Sequence, residues 1–159
     1  MSLTIRSMTG DDKPAIMQIL RATPEFNPAE VVVAEEVLDG YLHNPSGSGY
    51  HVLVAEVGSS VVGYVCYGST PLTEGTWDIY WLAIAPREQR RGIGMALLKS
   101  AEDEIKAASG RLAIIETSSK PEYAGTRSFH LSQGYQPVCQ IADFYAPGDD
   151  KVIFQKRLR

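Results

Sequence analysis

The chain predicts an α/β fold of mixed α+β character: a single domain with a mostly antiparallel mixed sheet of about seven strands flanked by about four helices. Three observations lead there. β-Branched and aromatic runs of strand length recur along the chain, and apolar stripes at helical spacing fall between some of them. Gly58-Ser59-Ser60 separates two such runs as a hairpin turn would. The run Leu112 to Ile115 is almost continuously apolar and follows a helical segment, as expected of a strand buried on both faces. Helices therefore lie between some strands and hairpins between others, which makes the sheet mixed.

In chain order, Leu3 to Ser7 alternates apolar and polar as a first strand. Thr9 stands three residues before Asp12 in a capping-box pattern, and Pro14 comes early enough to be tolerated ahead of the Ile16, Ile19, Leu20 stripe of a first helix. Asn27-Pro28-Ala29-Glu30 opens a second helix, with Asn27 as cap, Pro28 in the first turn and Glu30 reaching back to the cap amide; Ala34, Val37, Leu38 and Tyr41 form its apolar face. Asn44 to Gly49 is loop by composition, and Tyr50 to Val57 and Val61 to Gly68 are the hairpin strands. A turn-rich patch, Pro71 to Gly75, leads to the apolar run that ends with Ile84 just before Pro86.

Ile93, Leu97, Ala101 and Ile105 mark one face of a third helix, on which Glu102 precedes Lys106 at ion-pair spacing and which Gly110 closes. Arg111 to Thr117 is a strand, Pro121 to Ser132 a fourth helix stopped by Gly134. Tyr135 to Ala142 and Lys151 to Arg157 are the last strands, joined across Pro147-Gly148-Asp149-Asp150.

At 159 residues, 44% apolar and 21% charged, the chain has the size and composition of one soluble domain (1–159), without repeats or linkers. A formal net charge of −4 argues against a nucleic-acid surface, which needs an excess of Lys and Arg over its whole footprint. No apolar run reaches the ~20 residues of a membrane span, and residues 1–9 lack a signal-peptide pattern, so a cytoplasmic location is expected. Cys66 and Cys139 are far apart, without metal-ligand spacing, and are read as reduced, buried and inert; no metal is expected.

Against that acidic background stands Arg87, Arg90, Arg91, Gly92, Ile93, Gly94. A strand, a basic glycine-rich turn and a helix in succession bring free backbone N–H groups, arginines and the positive end of a helix dipole to one point, which is an anion site. Gly92 and Gly94 leave the amides open to close approach by a phosphate.

These residues also carry a resemblance. Gln89-Arg90-Arg91-Gly92-Ile93-Gly94 resembles the Q/R-x-x-G-x-G/A signature of the GCN5-related N-acetyltransferase (GNAT) family, and Phe129-His130-Leu131-Ser132-Gln133-Gly134-Tyr135 resembles its later F-Y-x-x-x-G-F/Y element. The resemblance implies acetyl-coenzyme A (acetyl-CoA) as co-substrate, with Gln89, Arg90, Arg91, Gly92, Ile93, Gly94 and Met95 at the pyrophosphate and the backbone of Leu82, Ala83 and Ile84 along pantetheine and thioester. It implies transfer of an acetyl group to a primary amine of a small molecule, protein or peptide, and leaves a homodimer open; charge and hydropathy predict no nucleic-acid or membrane partner.

Acyl transfer needs a neutral amine, a donor for the developing oxyanion and a donor for the departing thiolate. A free N–H at Leu82 or Ala83 would serve the oxyanion if the strand bulges there as in the family. His130 stands where the family usually has a tyrosine and can donate to the thiolate, an imidazolium being a better acid than a phenol. For the base, Asp78 lies four residues before Leu82, on the same face as Tyr80 and Leu82 by the strand period. Glu116, near the end of the next strand, is the runner-up. Trp77, Tyr80, Trp81, Phe144 and Tyr145 could line an acceptor pocket. Tyr123 and Thr126 stand where the family often has Asn and Ala, which departs from its side-chain contacts to coenzyme A, and the change at His130 beside an intact loop leaves a second reading: an acyl-coenzyme A-binding or regulatory module on the same fold.

Overall fold

The computed structural model describes residues 2–159. One sheet holds β1 (Leu3–Ser7), β2 (His51–Val57), β3 (Ser60–Ser69), β4 (Thr76–Ile84), β5 (Leu112–Ser118), β6 (Gln136–Ala146) and β7 (Asp149–Arg157), in the order β1-β2-β3-β4-β5-β7-β6. All neighbours are antiparallel except β4 and β5, whose parallel connection runs through α3 (Ile93–Ala107). The remaining helices are α1 (Lys13–Ala22), α2 (Pro28–His43) and α4 (Ala124–Ser132). The expected mixed sheet and helix count are thus found.

The sheet separates two apolar layers. On one face Ile16, Leu20, Ala34 and Leu38 of α1 and α2 pack with Val52, Val54, Tyr64, Cys66 and Ala83. On the other, Leu97, Leu98, Ala101 and Ile105 of α3 pack with Val65, Ile79, Ala113, Ile115, Val152 and Phe154. The predicted stripe of α3 is wholly buried. α2 begins as its sequence specifies: the Glu30 N–H donates to Asn27 Oδ1 at 2.8 Å and the Asn27 N–H to Glu30 Oε1 at 3.2 Å.

Several expectations are corrected. The expected Thr9–Asp12 capping box is present, but it opens a 3-10 turn, Gly10–Asp12, ahead of α1, and the Asp12 carboxylate accepts both the Thr9 N–H (2.8 Å) and two Arg6 N–H bonds (2.8 and 2.9 Å). β5 is buried chiefly on its Ala113, Ile115, Thr117 side, while Glu116 is exposed. Glu102 does not pair with Lys106; it is buried, and accepts the Tyr135 hydroxyl (2.7 Å) and the Lys156 ammonium (3.0 Å). The left-handed residue ending α3 is Ser109 (φ 67), not Gly110. β6 runs on to Ala146, past an irregularity containing Asp143 at φ 56, and it carries Cys139 exposed, so only Cys66 is the buried, inert thiol expected; burial pushes it up to about 12.

Candidate active site

The site follows from how β4 leaves β5. Their ladder has the four pairs from Thr76↔Leu112 to Ile79↔Ile115 and then stops, so beyond it β4 is bonded to β3 alone and β5 to β7 alone. A fork opens in the sheet. At the same level the β3–β4 register jumps from Tyr67↔Ile79 to Cys66↔Trp81, leaving Tyr80 as the extra residue of a bulge.

The bulge changes which way side chains point. Ile79 and Leu82, three residues apart, both pack with the α3-side layer, whereas Trp81 and Ala83 pack with the α1/α2 layer. Asp78, between the inward-facing Trp77 and Ile79, therefore faces opposite to Leu82, which corrects the shared face expected from an unbroken period. Asp78 is aligned with Ile114, two residues before Glu116, so the two carboxylates share a face of the sheet. Both bear on Tyr80, whose hydroxyl is pushed up to about 12, first by burial, then by Asp78, with Tyr50 and Glu116 adding to it.

The carboxylates differ in their partners. Asp78 Oδ2 accepts the Thr70 hydroxyl at 2.6 Å. Glu116 Oε1 accepts the Lys151 ammonium at 3.0 Å, and that ammonium also lies 3.7 Å from the centre of the Phe144 ring. Tyr80, Phe144 and Tyr145 are exposed aromatic residues. Trp81 stands edge to face with Phe26, and the buried Trp77 packs with His51 and Tyr67.

Backbone polarity also sorts itself along the fork. The Ala85 N–H donates to the Val62 carbonyl at 2.8 Å, so by alternation Ala83 turns its backbone to β3, while Leu82 and Ile84 turn theirs to the open edge. In agreement, the Ile84 carbonyl accepts the Gln89 side chain at 3.4 Å rather than a β3 amide. Of the two oxyanion candidates, Leu82 is the one whose N–H faces the fork.

The glycine turn adjoins this edge. Gly92 (φ 79) and Arg90 (φ 66) are both left-handed, and the helical ladder begins only with the Ala96 N–H to the Gly92 carbonyl at 3.0 Å. The amides of Ile93, Gly94 and Met95 thus lie ahead of it, at the positive end of α3. A Cβ on Gly94 would stand 3.4 Å from the Phe129 ring, an ordinary contact, so α4 reaches the start of α3 here without leaving a gap. Ile93 is buried and offers only its backbone; Arg91 is tied to Glu88 at 3.2 Å; Arg90 and Met95 are exposed. The turn and the edge are a donor set open to a phosphate and an amide-bearing chain, so an acyl-carrier nucleotide fits them. A cavity of about 580 Å³ opens elsewhere, beside Arg6, Asp12, Glu56 and Arg87, and Arg6 is already paired there with Asp12 and Glu56.

His130 is nearly closed off from solvent. It is 4% exposed, with Phe154 edge-on at 5.5 Å and Tyr135 at 6.3 Å, and burial pushes it down to about 4. At neutral pH the ring is neutral, so the imidazolium acid expected from the sequence is not available and only a neutral donor remains. Thr117, which the sequence reading passed over, is also buried, and its hydroxyl has no partner. The only sequence signal for it is a hydroxyl where valine would suit an apolar strand.

The profile of the Acetyltransferase (GNAT) family matches residues 14–135. The structure is similar to that of a Desulfovibrio desulfuricans protein described as a GNAT-family acetyltransferase, at 36% identity and TM-score 0.96, covering 99% of this chain and 100% of that one. It shares its fold with yncA of Salmonella typhimurium, solved with acetyl-CoA (24% identity, TM-score 0.80, 100% and 95% covered). The fold is likewise that of the Thermoplasma acidophilum PaiA N-acetyltransferase, solved with coenzyme A (17%, 0.78, 99% and 99%). No curated protein matches the chain in sequence.

Proposed function

The chain belongs to the GNAT acetyltransferase family, and from that premise we propose that it is an acetyl-CoA-dependent N-acetyltransferase acting on a primary amine of a small molecule or peptide. The observation that carries this reading is the fork between β4 and β5, with the Leu82 and Ile84 backbone facing it beside the open amides of the glycine turn. Residues 89–95 would hold the pyrophosphate through their amides, and the Leu82 to Ile84 edge would hold the pantetheine as a strand would. When bound, acetyl-CoA supplies the acetyl group as an activated thioester.

Each residue then has one task. The Leu82 N–H donates to the carbonyl oxygen as negative charge builds on it. Asp78 takes the proton of the incoming ammonium through water, because Thr70 occupies one carboxylate oxygen and leaves the other free, whereas Glu116 is already neutralised by Lys151. Glu116, its charge met by Lys151, lines the acceptor side of the fork together with Tyr80.

The decisive experiment is calorimetric titration of the chain with acetyl-CoA beside Gly92→Glu, followed by thiol release across a panel of amines. A carboxylate at Gly92 would stand at the phosphate position, so micromolar binding is expected for the wild type and a loss of at least about 100-fold in a variant that still melts cooperatively. Equal affinity in both would reject the turn as the phosphate site. The burial of His130 favours the second reading, a coenzyme A-binding module, which would retain binding and release no thiol above background.

A further inference from the structure

Three buried side-chain polar atoms among the described residues have no partner: Tyr64 Oη, Thr117 Oγ1 and His130 Nδ1. Tyr64 belongs to the α1/α2 layer. The other two converge on the opposite layer. Thr117 follows Ala113 and Ile115 on the inner side of β5 and is aligned across the strand with Val152. His130 comes down on the same surface from α4, with its ring 5.5 Å from that of Phe154, the cross-strand partner of Ile115. Thr117 lies two residues past Ile115, where β4 and β5 part, and His130 packs against the residue paired with Ile115 at that point.

An unmet buried hydroxyl is destabilising, and valine would fill the same volume without it. Two unmet polar groups on one side of one fork are not explained by packing. Taking the acetyltransferase reading above as given, we propose that Thr117 is a catalytic residue whose hydroxyl, together with the His130 imidazole, donates hydrogen bonds to the sulfur that leaves.

In the transfer, the acceptor nitrogen forms its bond to the acetyl carbon while the carbon–sulfur bond breaks with its electron pair passing to sulfur. The proton shed by the amine ends on that sulfur through water. His130 is neutral at pH 7 and Thr117 is an alcohol, so neither gives up its own proton. They stabilise the thiolate by hydrogen bonding until that proton arrives.

The test uses the full chain with coenzyme A and follows the bound thiol through the ultraviolet absorbance of its thiolate as pH is raised. The wild type is expected to make that thiol at least about tenfold more acidic than free coenzyme A, and Thr117→Val to abolish most of the effect while Thr117→Ser retains it. In turnover, Thr117→Val is expected to lower kcat about tenfold with the KM for acetyl-CoA unchanged, and to melt no lower than the wild type. Thr117→Ala serves if the valine variant does not fold. An identical thiol titration in wild type and Thr117→Val would overturn the role of Thr117 alone; a well-folded wild type that binds no coenzyme A would overturn the acetyltransferase reading with it.

Discussion

A neutral imidazole enclosed by Phe129, Tyr135 and Phe154 ties folding to pH at a single residue. In the folded chain His130 takes up a proton only near pH 4, against 6.5 for the ordinary group. Between those values the unfolded chain binds the extra proton, so stability is fully present above about 6.5 and falls as pH drops toward 4. Linkage gives a loss of about 2 kcal/mol between pH 7 and pH 5 from this group. His130→Phe should therefore show a flatter dependence of unfolding free energy over that interval in urea titrations; parallel curves would mean the ring is protonated in place. The same residue marks the limit of what could be read from the sequence. The F-x-x-x-x-G spacing located position 130 beside the fork, but an imidazole's exposure depends on β7, which contributes Phe154 from residues far along the chain. Glu102 was misjudged for a similar reason. Helical spacing suggested Lys106, while Tyr135 and Lys156 from α4's exit and β7 supplied the actual partners.

At the scale of elements, the junction of α3 and β5 is set by a close approach. A Cβ on Gly110 would collide with Ile105 Cγ2, and would lie 2.8 Å from the Ile105 carbonyl and 2.9 Å from Trp77. Neither backbone nor indole can yield without moving the strand whose first pairs make the parallel ladder. Gly110→Ala is expected to destabilise by about 2–4 kcal/mol in equilibrium denaturation, and a change below about 0.5 kcal/mol would show that the junction has slack. The sequence did mark Gly110, as a helix cap, because glycine usually signals backbone freedom; here the left-handed turn falls on Ser109 and glycine answers for space. Elements whose cause is local were legible to within a few residues. α2 has its capping box, α3 its stripe, and β2 and β3 their turn. The bulge at Tyr80 and the full reach of β6 were not, since each is a mismatch in register between two strands and neither strand alone encodes it.

On the scale of the whole molecule, the sheet is two half-sheets, β1 to β4 and β5 to β7, joined edge to edge by only four register pairs. Strand edges beyond the join lack the ladder that protects their amides. In hydrogen exchange the Leu82 and Ile84 N–H groups should exchange at least about tenfold faster than that of Ala83, which faces β3, and acetyl-CoA should slow them selectively. Equal protection of the three without ligand would mean the fork is closed in solution. So narrow a seam also divides the covalent chain cleanly. Residues before Gly110 build one half-sheet with α1, α2 and α3, and residues after it build the other with α4. A break in the exposed turn at Ser109 would leave two fragments, each holding one bank of the fork. Their reunion would depend on what lies between the banks, so the coenzyme would act as the splint of a split protein.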